Sequence, residues 1–232
     1  MKYKVIVTLG KEELEDFKNP ALQEADILEI RLDLLDLDFI KNNLSKILNE
    51  LNKSLLFTYR NPKDSSEKSN TQIHYADISE LLSEFNSDKN YLDIELDQEK
   101  SIFDPILDSA KFRIIYSYHD FKKSLSKEEM LDWISKKNRD NCIYKFAVMP
   151  QSIEDLEKFL KDLKEVSLHY PLIGIAMGKI GAFSRIFGDF FGSLATYCCV
   201  GTPRAPGQVD VFEFQKIRAA YKDKPLPNIS NW

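Results

Sequence analysis

A lysine lies in the middle of the apolar run Cys142 to Pro150, where its chemistry would differ from that of a surface lysine. If the run is a β-strand, Lys145 shares its face with Ile143 and Ala147, which are uncharged. Burial without an acidic partner favours the neutral amine. The run therefore predicts an amine nucleophile. The alternative is a lysine whose ammonium reaches water at the end of the strand.

Charged side chains alternate with bulky apolar ones in other strand-like runs of the chain. Leu28 and Ile30 share one face of the second run, whereas Glu29 and Arg31 share the other. Because buried charges need partners or a ligand, a face that gathers such residues indicates a polar pocket. The residues expected to face this pocket are Glu29, Arg31, Arg60, His119 and Lys145.

The seventh run is expected to follow the same rule, with its bulky side chains outside the sheet. Ile173, Ile175 and Met177 would then pack on the outer helices. The small residues that alternate with them, from Gly174 to Gly178, would face the interior.

Eight runs rich in Val, Ile, Leu, Phe and Tyr supply the strands that would position these residues. The runs begin near Tyr3, Asp26, Ser54, Tyr91, Phe112, Cys142, Pro171 and Thr196. Helical periodicity marks the segments 12–25, 38–52, 73–85, 127–138, 153–169 and 210–221. This alternation predicts one α/β domain over residues 1–232, a (β/α)8 TIM barrel with a parallel sheet. An open doubly wound sheet is the alternative, but no G-x-G-x-x-G follows the first run.

The polar residues lie toward one end of the predicted barrel. Glu29, Arg60 and His119 are near the C-terminal ends of their strands, where barrel enzymes keep their chemistry. The Pro- and Gly-rich segment 201–208 is expected to form a loop over that end, and residues 61–69 are a second candidate lid.

Composition excludes several other classes of protein. The 232 residues have a net charge of −5 with both signs interspersed, which predicts no nucleic-acid partner. The apolar runs are too short to span a membrane and the chain begins without a signal peptide, so a cytoplasmic location is expected. Cys142, Cys198 and Cys199 have no disulfide or metal spacing, and His74 and His169 are expected at the surface.

Seven short segments follow one another at spacings suited to a single barrel. They are Glu-Ile-Arg-Leu-Asp at 29–33, Phe-Thr-Tyr-Arg at 57–60, Asp-Ile-Glu-Leu at 93–96, Ser-Tyr-His-Asp-Phe at 117–121, Lys-Phe-Ala at 145–147, Met-Gly-Lys-Ile-Gly-Ala-Phe-Ser-Arg at 177–185 and Ala-Pro-Gly-Gln at 205–208. Together they resemble the type I 3-dehydroquinate dehydratases of the shikimate pathway over nearly the whole chain. The resemblance implies a barrel enzyme that converts 3-dehydroquinate to 3-dehydroshikimate and water.

The resemblance implies that Lys145 forms a Schiff base with the C3 ketone and that His119 is the general base and acid. An iminium at C3 acidifies the C2 proton, and an imidazole with a pKa of about 6.5 can accept that proton at neutral pH and deliver one to the C1 hydroxyl. Because the lysine polarises the substrate, no metal or other cofactor is expected.

Other matching positions imply contacts with a small polyhydroxylated carboxylate. Arg185 matches the carboxylate-binding arginine, whose guanidinium suits that group. Glu29, Arg31, Arg60 and Gln208 match residues that bind the ring hydroxyls or order the site. For Glu29 and Arg31, an ion pair at the barrel rim is the alternative. The family resemblance also implies a homodimer.

Two positions depart from the family pattern. Asp64 stands where many members have a glutamate that hydrogen-bonds the histidine, so Asp64 or Glu67 could orient His119. Arg204 stands where a serine often contacts the substrate. It is expected either to add a cation at the carboxylate or to point to solvent.

Two other functions are compatible with a barrel that contains a lysine in mid-strand. A Schiff-base aldolase could hold a phosphosugar on the backbone amides of residues 178–181, although His119 and Arg185 favour proton abstraction and carboxylate binding. A barrel that binds a ligand or a partner protein without catalysis is the third possibility.

Overall fold

The computed structural model describes residues 2–60, 73–137, 140–222, 224–227 and 229. Within these ranges the strands are β1 (Lys4–Leu9), β2 (Ile27–Arg31), β3 (Ser54–Thr58), β4 (Tyr91–Glu95), β5 (Arg113–Asp120), β6 (Ile143–Val148), β7 (Leu172–Ala176), β8 (Ala195–Cys199) and β9 (Val209–Asp210). The α-helices are α1 (Lys11–Glu15), α2 (Leu37–Phe39), α3 (Ser45–Leu51), α4 (Tyr75–Glu84), α5 (Lys127–Lys136), α6 (Ile153–Ser167), α7 (Gly178–Phe187) and α8 (Val211–Ala220). A π-helical stretch, Ile40–Leu44, joins α2 to α3.

The strands form one curled parallel sheet in the order β7-β6-β5-β4-β3-β2-β1-β8-β9. The two ends of the curl meet through a parallel bridge between Leu172 and Ser193, beside which the Leu194 amide donates to the Leu172 carbonyl at 2.8 Å. The eight predicted strands and the TIM-barrel class are confirmed. The two-residue strand β9, after the loop that follows β8, was not predicted.

Most of the predicted helices are confirmed to within a few residues, but the single helix expected over 12–25 is wrong. The structure has α1 followed by a 3₁₀ turn, Pro20–Glu24. Pro20 has no amide hydrogen for a helical bond, so a helix cannot run through it unbroken. The Asn19 side chain accepts from the Ala21 amide at 3.0 Å and starts the new turn. The local signal for this break was present in the sequence.

Apolar side chains form two layers, one between the sheet and the helices and one inside the barrel. Leu28, Phe57 and Phe146 belong to the outer layer, as the alternation predicts. Ile143 and Ala147 belong to the inner layer, on the same strand face as Lys145. The barrel therefore has an apolar base beneath its polar end.

The strand β7 reverses the predicted orientation. Ile173, Ile175 and Met177 belong to the inner layer. Gly174 instead faces α6, where an added Cβ would lie 2.2 Å from Leu163 Cδ2. The small residue is required on the outside because the helix packs so closely there, and the bulky residues fill the interior.

The segment 201–208 forms the predicted loop between β8 and β9. It lies against the start of α7, where the Gly178 amide donates to the Pro206 carbonyl at 3.1 Å. Gly207 has a φ of 71°, and a Cβ there would lie 2.3 Å from the Gly178 carbonyl oxygen, so glycine is needed for this contact. The second candidate lid, residues 61–69, lies outside the described residues.

Several surface and core expectations are also confirmed. His74 and His169 are exposed, and Cys142, Cys198 and Cys199 are buried free thiols. In the part of the chain that is described, no helix has both the length and the apolar composition needed to cross a bilayer.

Candidate active site

A cavity opens between the C-terminal strand ends and the loop 201–208, with about 590 Å³ of empty space that includes its opening to solvent. It brings together every predicted site residue that the structure describes: Glu29, Arg31, Arg60, His119, Lys145, Arg185, Arg204 and Gln208. Seven further residues line the cavity and were not predicted from the sequence: Thr8, Phe121, Ala147, Ile175, Met177, Tyr197 and Ala205. Asp64 and Glu67 lie outside the described residues.

Lys145 is buried, with its side chain 7% exposed and its Nζ atom 3.5 Å from Asp93 Oδ2. The same Nζ atom lies 4.1 Å from the centre of the Tyr197 ring. Burial lowers the pKa of Lys145 from 10.5, and Asp93 opposes this effect only in part. A larger fraction of the amine is therefore neutral, and able to act as a nucleophile, than in a surface lysine.

The contact between Asp93 and Lys145 was not predicted from the sequence. The Oδ1 atom of Asp93 accepts from Ser117 Oγ at 2.6 Å and from Arg60 Nη2 at 3.2 Å. Although burial opposes the effect, Arg60 and Lys145 together hold the pKa of Asp93 below 3.8. The carboxylate is therefore ionised and places one negative charge beside the lysine.

Arg60 lies at the centre of the buried polar network. Its Nη1 atom donates to Glu95 Oε1 at 2.7 Å and to Ser117 Oγ at 3.2 Å. Burial alone would lower the pKa of Arg60, but Asp93 and Glu95 outweigh it and raise the pKa above its usual value. The guanidinium is therefore a fixed cation that holds two carboxylates in place.

The His119 ring is next to this cation, with Nδ1 3.3 Å from Arg60 Nη1. Burial, followed by the charges of Arg60 and Lys145, holds the pKa of His119 well below 6.5. The imidazole is consequently neutral at neutral pH, which is the form that can accept a proton.

Glu29 is held by two threonines on neighbouring strands. Thr8 Oγ1 donates to Oε2 at 2.7 Å and Thr58 Oγ1 donates to Oε1 at 2.8 Å. Gln208 Nε2 in turn donates to Thr8 Oγ1 at 3.2 Å, which ties the loop to the sheet. Each Glu29 oxygen keeps a lone pair for a ligand hydroxyl.

Arg31 forms a bidentate ion pair with Asp33, at 2.9 Å from Nε and 2.6 Å from Nη2. Asp33 Oδ1 also accepts from the Arg60 amide at 3.1 Å. Burial would lower the pKa of Arg31, but Asp33 outweighs it, so the pKa is raised above its usual value. The side chain is thus fixed beside the cavity, and Asp33 is a supporting residue that the sequence reasoning did not identify.

Arg185 is buried among neutral partners. Its Nη1 atom donates to the Tyr197 carbonyl at 3.4 Å and its Nη2 atom to the Pro206 carbonyl at 3.0 Å. The Nε atom has no hydrogen-bond partner among the described residues. Burial lowers the pKa of Arg185 to about 10. A buried guanidinium without an adjacent carboxylate is suited to binding an anion.

Arg204 does not point to solvent, so that expectation is wrong. Its Nη2 atom lies 2.8 Å and 2.6 Å from the two carboxylate oxygens of Glu13 on α1. An added Cβ at Gly10 would lie 2.8 Å from the same nitrogen, so the absence of a side chain there makes room for the guanidinium. This ion pair holds the loop over the cavity.

Among the residues that the structure describes, no cluster of three or more His, Cys, Asp and Glu side chains could hold a metal ion. At the start of α7, where the aldolase alternative requires amides for a phosphate, the Gly178 amide is already bonded to Pro206.

Comparisons with known proteins point to one family. A family model described as Type I 3-dehydroquinase matches residues 5–225. The chain is 32% identical over 230 residues to 3-dehydroquinate dehydratase from Alkaliphilus oremlandii, covering 92% of this chain and 90% of that protein. It is 33% identical over 231 residues to the enzyme of the same name from Escherichia coli O6:K15:H31, covering 92% and 91%.

A solved structure also matches over nearly its full length. The type I 3-dehydroquinate dehydratase from Clostridium difficile, crystallised with covalently modified comenic acid, superimposes with a TM-score of 0.73 at 26% identity, covering 94% of this chain and 92% of that one. The fold and the extent of these matches show that the chain belongs to the type I 3-dehydroquinase family of lyases.

Proposed function

We propose that this chain dehydrates 3-dehydroquinate to 3-dehydroshikimate through a Schiff base on Lys145. The observation that carries the proposal is the buried Lys145 amine, whose pKa is lowered and which shares one cavity with the neutral ring of His119. The family supports the overall reaction, and the cavity supports the assignment of its steps to these two residues.

The chemistry needs no group beyond the two side chains and the substrate. The neutral Lys145 amine adds to the C3 ketone, and the adduct takes up one proton from solvent and loses one water to give a protonated imine. Electron withdrawal by this iminium acidifies the C2 proton, which His119 accepts. The C1 hydroxyl then leaves as water with a proton from His119. Hydrolysis of the protonated imine consumes one water and releases 3-dehydroshikimate, the neutral amine and one proton.

The tautomer of His119 decides which nitrogen accepts the C2 proton. Arg60 can only donate, so its 3.3 Å contact favours the tautomer in which Nδ1 is unprotonated. A carboxylate that accepts from Nδ1 would reverse this preference and leave Nε2 free as the base. From the family resemblance, the candidates for that role are Asp64 and Glu67, which lie outside the described residues.

The remaining residues bind and orient the substrate ring. The anion-binding guanidinium of Arg185 receives the carboxylate. Glu29 and Gln208 receive ring hydroxyls. Arg31 and Arg60 already bind Asp33, Asp93 and Glu95, so they act mainly by ordering the site and by raising its positive potential.

Borohydride trapping tests the lysine. Sodium borohydride added with 3-dehydroquinate should reduce the imine and add the mass of the reduced ligand to the peptide that contains Lys145. Lys145→Ala should give no adduct. Lys179→Ala, which removes an exposed lysine beside the cavity, should give the wild-type adduct. An adduct on Lys145→Ala, or none on the wild type with 3-dehydroquinate present, would refute the proposed mechanism.

A second variant tests the histidine. His119→Ala should still form the reducible imine but should lose at least a hundredfold in the rate of dehydration, because general acid and base catalysis contributes roughly that much or more. Absorbance of the conjugated product measures the rate. Dehydration at the wild-type rate by His119→Ala would contradict the assigned role.

The proposed assembly follows from the family resemblance alone. We propose a homodimer that acts on a small-molecule substrate in the cytoplasm without a nucleic-acid partner. The net charge of −5 supports the last point, because it provides no basic field for a phosphate backbone. Sedimentation equilibrium would test the dimer, and a single species of about 27 kDa would refute it.

A further inference from the structure

Tyr197 on β8 is the aromatic residue that approaches the reactive lysine. Its side chain is buried, with 5% of the residue exposed, and Lys145 Nζ lies above the ring at 4.1 Å from its centre. The hydroxyl is buried as well and has no hydrogen-bond partner among the described residues. Within the Tyr197 side chain, the ring face therefore contacts Lys145, whereas the hydroxyl has no hydrogen-bond partner among the described residues.

An aromatic face carries partial negative charge and attracts a cation, most strongly where water is excluded. We propose that Tyr197 is a catalytic residue whose ring face stabilises positive charge on the Lys145 nitrogen in the protonated imine. This inference rests on the proposed Schiff base. It adds a residue that favours formation of the cationic intermediate and keeps that intermediate protonated while the C2 proton leaves.

The change in bonding at the nitrogen explains why a ring is useful there. An ammonium has three N–H donors, whereas a protonated imine has one. Asp93 Oδ2 lies 3.5 Å from the free amine without forming a hydrogen bond, and the single N–H of the protonated imine leaves fewer ways to form one. Attraction to the ring face needs no N–H donor. It can therefore persist from the ammonium to the iminium.

Other charges also act on this nitrogen and must be considered in any test. The titratable groups that face Lys145 from the neighbouring strands are Glu29, Arg31, Arg60, Asp93 and His119. Asp93 raises the pKa of Lys145, whereas Arg60 and Arg31 lower it. The ring should act in the same direction as Asp93, so its removal should lower the pKa of the amine and disfavour the iminium.

Paired variants separate the ring from the hydroxyl. Tyr197→Leu removes the aromatic face, and Tyr197→Phe keeps it. We expect Tyr197→Leu to lower the equilibrium constant for imine formation by roughly tenfold and to move the pH midpoint of imine formation down by about one pH unit. Tyr197→Phe should stay within about twofold of the wild type, because the lost hydroxyl had no partner. Borohydride trapping at equilibrium and single-turnover rates measure both quantities.

A graded series guards against a loss of folding in Tyr197→Leu. Phenylalanines with one, two or three ring fluorines at position 197 keep the ring shape but withdraw electrons from its face. The imine equilibrium constant and the pH midpoint should fall stepwise with fluorination. An unchanged pH midpoint across the series would overturn the inference.

The outcomes distinguish this inference from the proposed function. If the wild type forms no reducible imine with 3-dehydroquinate, the Schiff base itself is wrong. If the wild type forms the imine but neither Tyr197→Leu nor the fluorinated variants change its equilibrium constant or pH midpoint, only the role of Tyr197 is refuted.

Discussion

The two walls of the cavity differ in the side chains that form them: one has charged side chains that pair with one another, and the other has mainly apolar side chains. The wall from β2 to β5 is polar, and its central charges, Arg60, Asp93 and Glu95, bind one another directly. The wall from β6 to β8 is largely apolar and presents Ile175 and Tyr197. Lys145 lies where the walls meet. The comparison shows how the pKa of a buried amine can be lowered while the amine is held in place: burial against the apolar wall lowers the pKa, and the Asp93 carboxylate of the polar wall keeps the amine in position.

The largest expected effect comes from breaking the polar wall at its centre. Arg60→Met should lower the free energy of unfolding by about 3 to 5 kcal/mol, because it leaves Asp93 and Glu95 buried without their cation. Denaturant titration measures the change. Arg218→Met, which removes an arginine from a more exposed pair with Asp189, is the control and should cost about 1 kcal/mol or less. Equal costs would mean that the polar wall does not depend on Arg60.

Asp93 links the polar wall to Lys145. Asp93→Asn removes the carboxylate that raises the pKa of Lys145, so that pKa should fall further, by roughly one to three pH units. Because imine formation needs the neutral amine, its rate should reach the plateau at lower pH than in the wild type. The pH profile of single-turnover imine formation measures the midpoint.

Glu95→Gln is the matched control for Asp93→Asn. Glu95 also binds Arg60, at 2.7 Å, but Lys145 has its close carboxylate contact with Asp93. The midpoint should therefore move much less in Glu95→Gln. A midpoint that moves to higher pH in Asp93→Asn, or equally in both variants, would contradict the assigned role of Asp93.

A smaller effect is expected on the outer side of the apolar wall. Gly174→Ala should lower the free energy of unfolding by about 1 to 3 kcal/mol, since the added methyl group would overlap Leu163. Leu163→Ala, in which that space is vacated, should remove most of the additional cost of Gly174→Ala. A double-mutant cycle measures this coupling. Additive effects of the two substitutions would show that close packing of α6 does not determine the orientation of β7.

The smallest effect is expected at the cover of the cavity. Glu13→Gln removes the charge that holds Arg204, and the loop should be less well ordered over the site. We expect a loss of about 1 kcal/mol in substrate binding, or roughly a fivefold rise in KM, with little change in kcat. Steady-state kinetics checks this. Glu12→Gln, at the exposed neighbouring position, should behave as the wild type. The same KM in both variants would argue against the role of the ion pair.

Local patterns predicted the strands and one side of the site well. Period-two alternation placed Glu29 and Lys145 inside the barrel, because side-chain direction follows from the strand itself. The same rule failed for β7, where the distance to α6 decides which face can hold large side chains. The distance between β7 and α6 cannot be predicted from the residues 172–178 themselves.

Pairs between distant segments could not be predicted in this way. Arg204 is 191 residues from Glu13 in the chain, and Lys145 contacts Asp93 from two strands away. Such contacts depend on how the sheet closes and on how far each side chain extends. The chemical roles came from the family resemblance, whereas the physical reason for a reactive Lys145 could be stated from its neighbours in the sequence.

The Pro206 carbonyl accepts hydrogen bonds from both the Gly178 amide and Arg185 Nη2. One oxygen atom thus joins the covering loop, the start of α7 and the arginine proposed to receive the carboxylate. If a bound anion reorients the Arg185 guanidinium, either the peptide group of Pro206 moves with it or the hydrogen bond from Nη2 to the Pro206 carbonyl breaks. The position of the loop 201–208 would then depend on whether Arg185 has bound an anion, and no additional residue would be needed for this dependence.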